Sequence, residues 1–179
     1  MAELARSEGA AEPAFAGAVR AASDAAASDA QEFGDFFLSR FLGLQIGYDE
    51  AARSCTVVLP YATHLTNPQG SVHGGIITTA MDISMGHLSR HFLSAAMTIE
   101  MQLRFFRPLT TTGTCTATFL REGRRIVHIE SRMTDPDGRE IAHGVGSWHR
   151  LDASTNHPAH PVHDGATGHQ TGKEAGRRK

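Results

Sequence analysis

The stretch HGGIITTAMDISMGHLSRHF, residues 73–92, followed closely by MTIEMQLRFFR, residues 97–107, decides how this chain folds. In the first segment Ile77, Ala80, Met81, Ser84 and Leu88 recur at helical spacing, and Asp82 and Arg90 are its strong charges. It reads as one long helix buried on most sides. In the second, Met97, Ile99, Met101, Leu103 and Phe105 alternate with Thr98, Glu100, Gln102, Arg104 and Phe106, and Pro108 ends the run. That is the cleanest period of two in the chain, and it predicts a strand. Residues 113–121, 125–134 and 140–151 read as three more strands, separated by turns at Gly123 and at Pro136-Asp137-Gly138. One long helix followed by four strands joined by short hairpins gives a mostly antiparallel sheet packed on that helix, an α+β arrangement.

Upstream, Phe33, Phe36, Phe37, Phe41 and Leu42 follow helical spacing up to Gly43 and Gly47, so a short amphipathic helix opens the domain. Residues 54–61 alternate around Cys55, Val57 and Leu59 and predict a strand, and the turn-rich residues 62–72 predict a loop. The order is that of a hotdog fold, a curved sheet wrapped around one central helix. The domain spans residues 32–151. Residues 1–31 read as an Ala-rich leader, mobile or weakly helical, in which Glu3, Glu8 and Glu12 interrupt any apolar run of the secretory type. Residues 152–179 hold Val162 as their one large aliphatic residue and read as a disordered polar tail. His157, His160 and His163 fall in that tail, where solvated side chains are expected rather than a metal site.

Composition narrows the function classes. The chain has 179 residues, 17 Lys and Arg against 19 acids, and a formal net charge of −2. That balance does not suit a general nucleic-acid binder. No run of 18 apolar residues exists, so no membrane span is expected. Cys55 and Cys115 lack CxxC spacing and fit a reducing cytosol rather than a disulfide framework, so a cytoplasmic location is expected. No metal-ligand spacing is apparent among His64, His128, His143 and His149.

The chemistry sits in Asn67-Pro-Gln-Gly-Ser-Val-His73-Gly74-Gly75, followed by Asp82 and Gly86. Gly74 and Gly75 lie where a loop becomes a helix, and the first N–H groups of a helix lack internal partners and carry partial positive charge. They form a ready oxyanion hole. Asp82, inside a mostly apolar helix, is costly unless it has a partner or a task, such as nucleophile or base. Asn67 and His73 are placed to orient water or a carbonyl. Read singly, the glycines also fit a tight turn, and Asp82 fits a polar residue satisfied by Ser84 or Thr78. Gly74 and Asp82 are separated by roughly 12 Å of helix rise, so one carbonyl carbon cannot meet both within one chain. A homodimer with its site at the interface follows. His87, five residues beyond Asp82, is expected to point away from it as a core or interface residue.

The joint pattern resembles the hotdog-fold acyl-CoA thioesterases of the phenylacetate-degradation (PaaI-type) group, over about residues 33–150. The resemblance implies hydrolysis of an acyl-CoA with an aromatic or medium-sized acyl group. It implies Asp82 as nucleophile or general base, the Gly74 N–H polarising the thioester carbonyl, and Asn67 and His73 placing carbonyl or water. It also implies Thr98, ten residues before Pro108, as the group that holds the attacking water. Arg104, Arg107, Arg124 and Arg125 are its candidates for the phosphates of coenzyme A, which is part of the substrate, so no separate cofactor is expected. A homotetramer, a dimer of dimers, is implied as well. Two other functions share the fold. One is an enoyl-CoA hydratase or dehydratase, whose Asp-x4-His spacing recurs at Asp82 and His87 but within the helix. The other is a non-catalytic acyl-CoA sensor, for which the leader lacks a helix-turn-helix pattern.

Overall fold

A computed structural model describes residues 11–94 and 96–151. The disordered-tail reading of residues 152–179, with its histidines, and the first ten residues of the leader lie outside the described residues. The chain runs through α1 (Ala11–Ala26), α2 (Phe37–Leu42), β1 (Gln45–Asp49), β2 (Ser54–Leu59), a single 3₁₀ turn (Thr63–Leu65), α3 (Gly74–Leu93), β3 (Ala96–Phe105), β4 (Gly113–Glu122), β5 (Ile126–Thr134) and β6 (Glu140–Arg150). The six strands form one antiparallel sheet in the order β1-β2-β4-β5-β6-β3. α3 packs on β2, β4, β3, β5 and β6, which makes this the expected hotdog α+β fold. Among the described residues, no helix is long and apolar enough to cross a membrane.

α3 takes its place because its apolar face is continuous. Ile77, Ala80, Met81, Ser84 and Leu88 are all buried against the sheet. The one polar member of that face is satisfied: Ser84 Oγ donates to Met81 O at 2.7 Å and shares a hydrogen bond with Ser131 Oγ at 2.9 Å. Leu59, Val57, Val127, Ile129 and Trp148 meet this face from the sheet. Burying a side chain of that size stabilises by about 1.5–3 kcal/mol each. Cys55 and Cys115 are free, buried thiols in the same core, both pushed up to about 12 by burial.

Three features differ from the sequence reading. First, β3 and β4 do not form a hairpin. β3 lies at the sheet edge beside β6, and β4 pairs with β2, so only β4, β5 and β6 form a meander. The linker is anchored instead, because Leu109 is fully buried and its carbonyl accepts the Val72 N–H at 2.8 Å. Second, β1 was not anticipated, because its residues are mostly exposed and give no alternation. Third, the alternation of β3 is broken by a bulge: Thr98 pairs with Trp148, and the next register pair is Glu100 with Ser147. Ile99 is the extra residue. Met97 and Ile99, expected to share an inner face with Met101, are about half exposed, at 51% and 55%. Thr98 turns toward α3 in their place. A Cβ on Gly146 would stand 2.7 Å from the Glu100 carbonyl, so glycine allows the strands to approach at the bulge.

The N-terminal part is built around Arg40. Its guanidinium donates to Ala25 O (3.0 Å), Ser28 O (3.0 Å), Ala30 O (3.2 Å) and Asp35 Oδ1 (2.8 Å). These bonds collect the end of α1 and the following turn onto α2, which Gly43 closes in a left-handed conformation with φ 64°. Within the stretch read as a leader, Ala11–Ala26 is therefore a helix whose Ala25 is buried. Replacing Arg40 by alanine is expected to lower stability by about 2 kcal/mol through lost charge-assisted bonds. A urea midpoint equal to that of the wild type would show that the clamp contributes nothing.

Candidate active site

The first half of the site lies midway along α3. The burial that seats the helix carries Asp82 partly out of water, and desolvation pushes its carboxyl above the ordinary carboxylate value. The Thr98 hydroxyl opposes this, donating to Asp82 Oδ1 at 3.3 Å. No cation pairs with Asp82 among the described residues. A carboxylate held this way is a stronger base than one in water. It opens on a cavity of about 390 Å³ that also borders Thr98, Gly86 and His87.

The second half lies at the N-terminus of α3. His73 is the N-cap, and its Nδ1 accepts the Gly75 N–H at 3.1 Å. The Gly74 N–H has no partner among the described residues, and Gly74 lines a separate cleft of about 320 Å³ with Asn67, Phe105 and Arg107. Asn67 builds the loop. Its Oδ1 accepts from Gln69 N (3.0 Å) and Ser71 N (3.3 Å), and its Nδ2 donates to Ser71 Oγ (2.9 Å).

The structure thus brings together Asp82 with Thr98, and Gly74 with Asn67 and Arg107, in two clefts. His73 lines neither cleft; it borders a third hollow beside His64 and acts on the site through its cap of the helix. Arg104 is exposed on β3, and Arg107 donates to Glu140 O at 2.7 Å. Arg124 and Arg125 are exposed in the β4–β5 turn, at the opposite end of β3, since Ile126 pairs with His149 and His149 with Met97.

Comparison with known proteins places this fold. The thioesterase superfamily model matches residues 69–142, which contain Gly74, Asp82 and Thr98. A protein of Saccharolobus solfataricus named "Putative esterase SSO2140" is 33% identical over 116 residues, covering 63% of this chain and 81% of its own length. The chain belongs to the thioesterase superfamily. It is a thioester hydrolase. The PaaI protein of the Escherichia coli phenylacetic acid degradation operon shares the thioesterase's fold, at 22% identity and TM-score 0.61, covering 75% of this chain and 94% of its own. So does BH2602 of Bacillus halodurans, solved with CoA, at 22% identity and TM-score 0.67, covering 84% and 99%.

Several residues around the thioesterase's Asp82 cavity were not legible as site residues. His87 borders the same cavity as Asp82, because Gly86 between them carries no side chain to separate them. Its ring is buried, Nδ1 shares a 2.8 Å hydrogen bond with the Tyr48 hydroxyl, and Nε2 has no partner among the described residues. Burial pushes its pKa below the ordinary imidazole value and so favours the neutral ring. The Phe33 ring tilts against it and the Phe36 ring stacks on it, with centroids 4.9 and 6.4 Å away. Only the run of phenylalanines at residues 33–41 hinted that this segment packs on something.

The raised Asp82 pKa has a consequence for stability. The folded chain binds this proton more tightly than the unfolded chain, so the contribution of Asp82 falls as pH rises from the unfolded value through the folded one. Asp82→Asn is therefore expected to melt at or above the wild-type temperature at pH 7, with the difference shrinking toward acid pH. A lower melting temperature at pH 7 would contradict the desolvation account.

Proposed function

We propose that the protein hydrolyses an acyl-CoA, with an aromatic or medium-sized acyl group, to a carboxylate and free CoA at a site shared by two copies of the chain. The observation that carries this reading is the separation of the Asp82–Thr98 pair from the Gly74 amide, in two clefts at opposite ends of β3. β3 is an edge strand along which Met97, Ile99 and Phe105 are exposed. An unpaired apolar edge is a template for pairing with another chain. Antiparallel pairing of two β3 edges sets the start of one strand beside the end of the other. Asp82 and Thr98 of one copy then face Gly74 of the second. The same pairing gathers Arg124 and Arg125 of one copy with Arg104 and Arg107 of the other, a basic rim suited to the CoA phosphates. The CoA bound to BH2602, a protein of this fold, supports the ligand class. Two such dimers make the homotetramer.

The chemistry uses groups of the chain alone. The Gly74 N–H donates to the thioester oxygen and stabilises the negative charge that develops as the carbonyl carbon becomes tetrahedral. Thr98 and Asp82 hold the water. Asp82 takes its proton as general base while the water oxygen bonds to carbon, or Asp82 itself attacks and water then cleaves the mixed anhydride. Either route breaks the C–S bond, and the CoA thiolate takes up a proton. Asn67 and His73 hold the loop and the helix tip that aim the amide.

Asp82→Asn is expected to lower kcat/KM for thiol release by about 10²- to 10⁴-fold while CoA-ester binding persists. Near-normal turnover removes Asp82 from the mechanism. Thr98→Val removes the hydrogen bond that lowers the Asp82 pKa, so the acid limb of kcat/KM is expected to move to higher pH; an unmoved limb counts against the pair.

Gly74→Pro removes the N–H at a position that tolerates proline, since proline suits the first position of a helix and His73 already holds an extended conformation with ψ 135°; the ring's Cβ would stand in ordinary contact, 3.7 Å from Phe105. It is expected to be inactive alone. Mixed after subunit exchange with Asp82→Asn, it should regain about a quarter of wild-type activity, because half the dimers are mixed and each holds one intact site. No recovery, with exchange demonstrated, argues that each site lies within one chain.

A further inference from the structure

Gly86 belongs to the sequence pattern, yet the proposed chemistry has no use for it. It sits inside a 20-residue helix, where glycine is less favourable than almost any other residue. Gly144 answers to close neighbours, since a Cβ there would meet Leu103 and Met81 at 3.2 Å. A Cβ on Gly86 would meet nothing within 4 Å, and the space it leaves belongs to the cavity beside Asp82.

The far end of that space is closed by His87, Phe33 and Phe36. This wall is fixed in place. Tyr48 holds the imidazole through Nδ1, Ser39 Oγ donates to Gly34 O at 3.0 Å, and Arg40 holds the turn before it. The wall presents flat ring surfaces, with Glu32 beside Phe33 in the lining and the Arg90 guanidinium 5.4 Å from the Phe33 ring centroid.

We propose that Gly86 sets the depth of the acyl pocket: the acyl group runs from Asp82 across Gly86 and ends against His87, Phe33 and Phe36. Gly86 lies one helical turn beyond Asp82, roughly 6 Å along the axis, so the pocket takes a single aromatic ring or a short alkyl chain. The inference rests on the reading that the thioester is cleaved beside Asp82, and it names what that site admits.

The test is Gly86→Leu, with Gly86→Ala as the milder variant, in the full chain. For turnover, kcat/KM is measured on acetyl-CoA, hexanoyl-CoA and benzoyl-CoA. For binding, dissociation constants are measured for the non-hydrolysable thioethers S-methyl-CoA and S-hexyl-CoA. Gly86→Leu should lower the hexanoyl-to-acetyl and benzoyl-to-acetyl ratios at least about tenfold, with Gly86→Ala in between, and should weaken S-hexyl-CoA far more than S-methyl-CoA. Unchanged ratios overturn the proposal. An equal loss on every chain length, with dissociation of the dimer in sedimentation, also overturns it and makes Gly86 a helix-packing position. If the wild type turns over none of the esters while the thioether preference still shifts, the proposed acyl-CoA hydrolysis fails and the depth assignment stands.

Discussion

The rigidity of α3 governs the rest of this structure. A helix rises about 1.5 Å per residue and cannot bend one of its own side chains back to its own N-terminus. Seated against five strands, α3 is also unable to shift without losing the packing of Met81, Met85 and Leu88. The amide at its tip and the carboxylate midway along it are therefore fixed points, each in its own cleft. A thioester that needs both must meet them on different copies of the helix. Dimer formation in the proposed mechanism is thus a geometric requirement of the chemistry and not an addition to it.

The second determinant is the environment of Asp82. A carboxylate inside an apolar helix is unfavourable, and a protein of ordinary stability carries few such groups. Here the cost is moderated by Thr98 alone among the described residues, and Thr98 faces the helix only because β3 is bulged beside it. Bulges commonly re-aim a side chain next to a functional site. Gly146 on β6 makes the close backbone approach at that bulge possible. The basicity of the carboxylate, the strand irregularity and a glycine on a neighbouring strand form one connected arrangement.

The wall of the Asp82 cavity comes from a different part of the chain. Phe33, Phe36 and Leu38 lie outside residues 69–142, the part matched by the superfamily model, yet they border the space beside the carboxylate. Arg40 is what makes this segment part of the fold, through three backbone carbonyls and Asp35. Residues 69–142 hold Gly74, Asp82 and Thr98, and the segment before them shapes what lies beside the carboxylate.

Much of this was legible in the residues. The helical spacing of Ile77, Ala80, Met81, Ser84 and Leu88 located α3, and the alternation after Met97 located β3, because both signals are local and a periodic apolar face has few other ways to be buried. The loop-to-helix glycines and the lone carboxylate named the two halves of the site, and the rise of a helix separated them. Strand order was not legible: nothing near Phe105 states that β3 will pair with β6 and not with β4, because pairing is settled by contacts between residues far apart in the chain. The same reason hid the bulge at Ile99 and the meeting of Phe33, Phe36 and Tyr48 with His87. Sequence alone determined which groups are candidates for the chemistry and how far apart one helix must hold them; tertiary structure alone decided which side of β3 faces the carboxylate and what borders the cavity, since both depend on packing between segments that no local pattern connects.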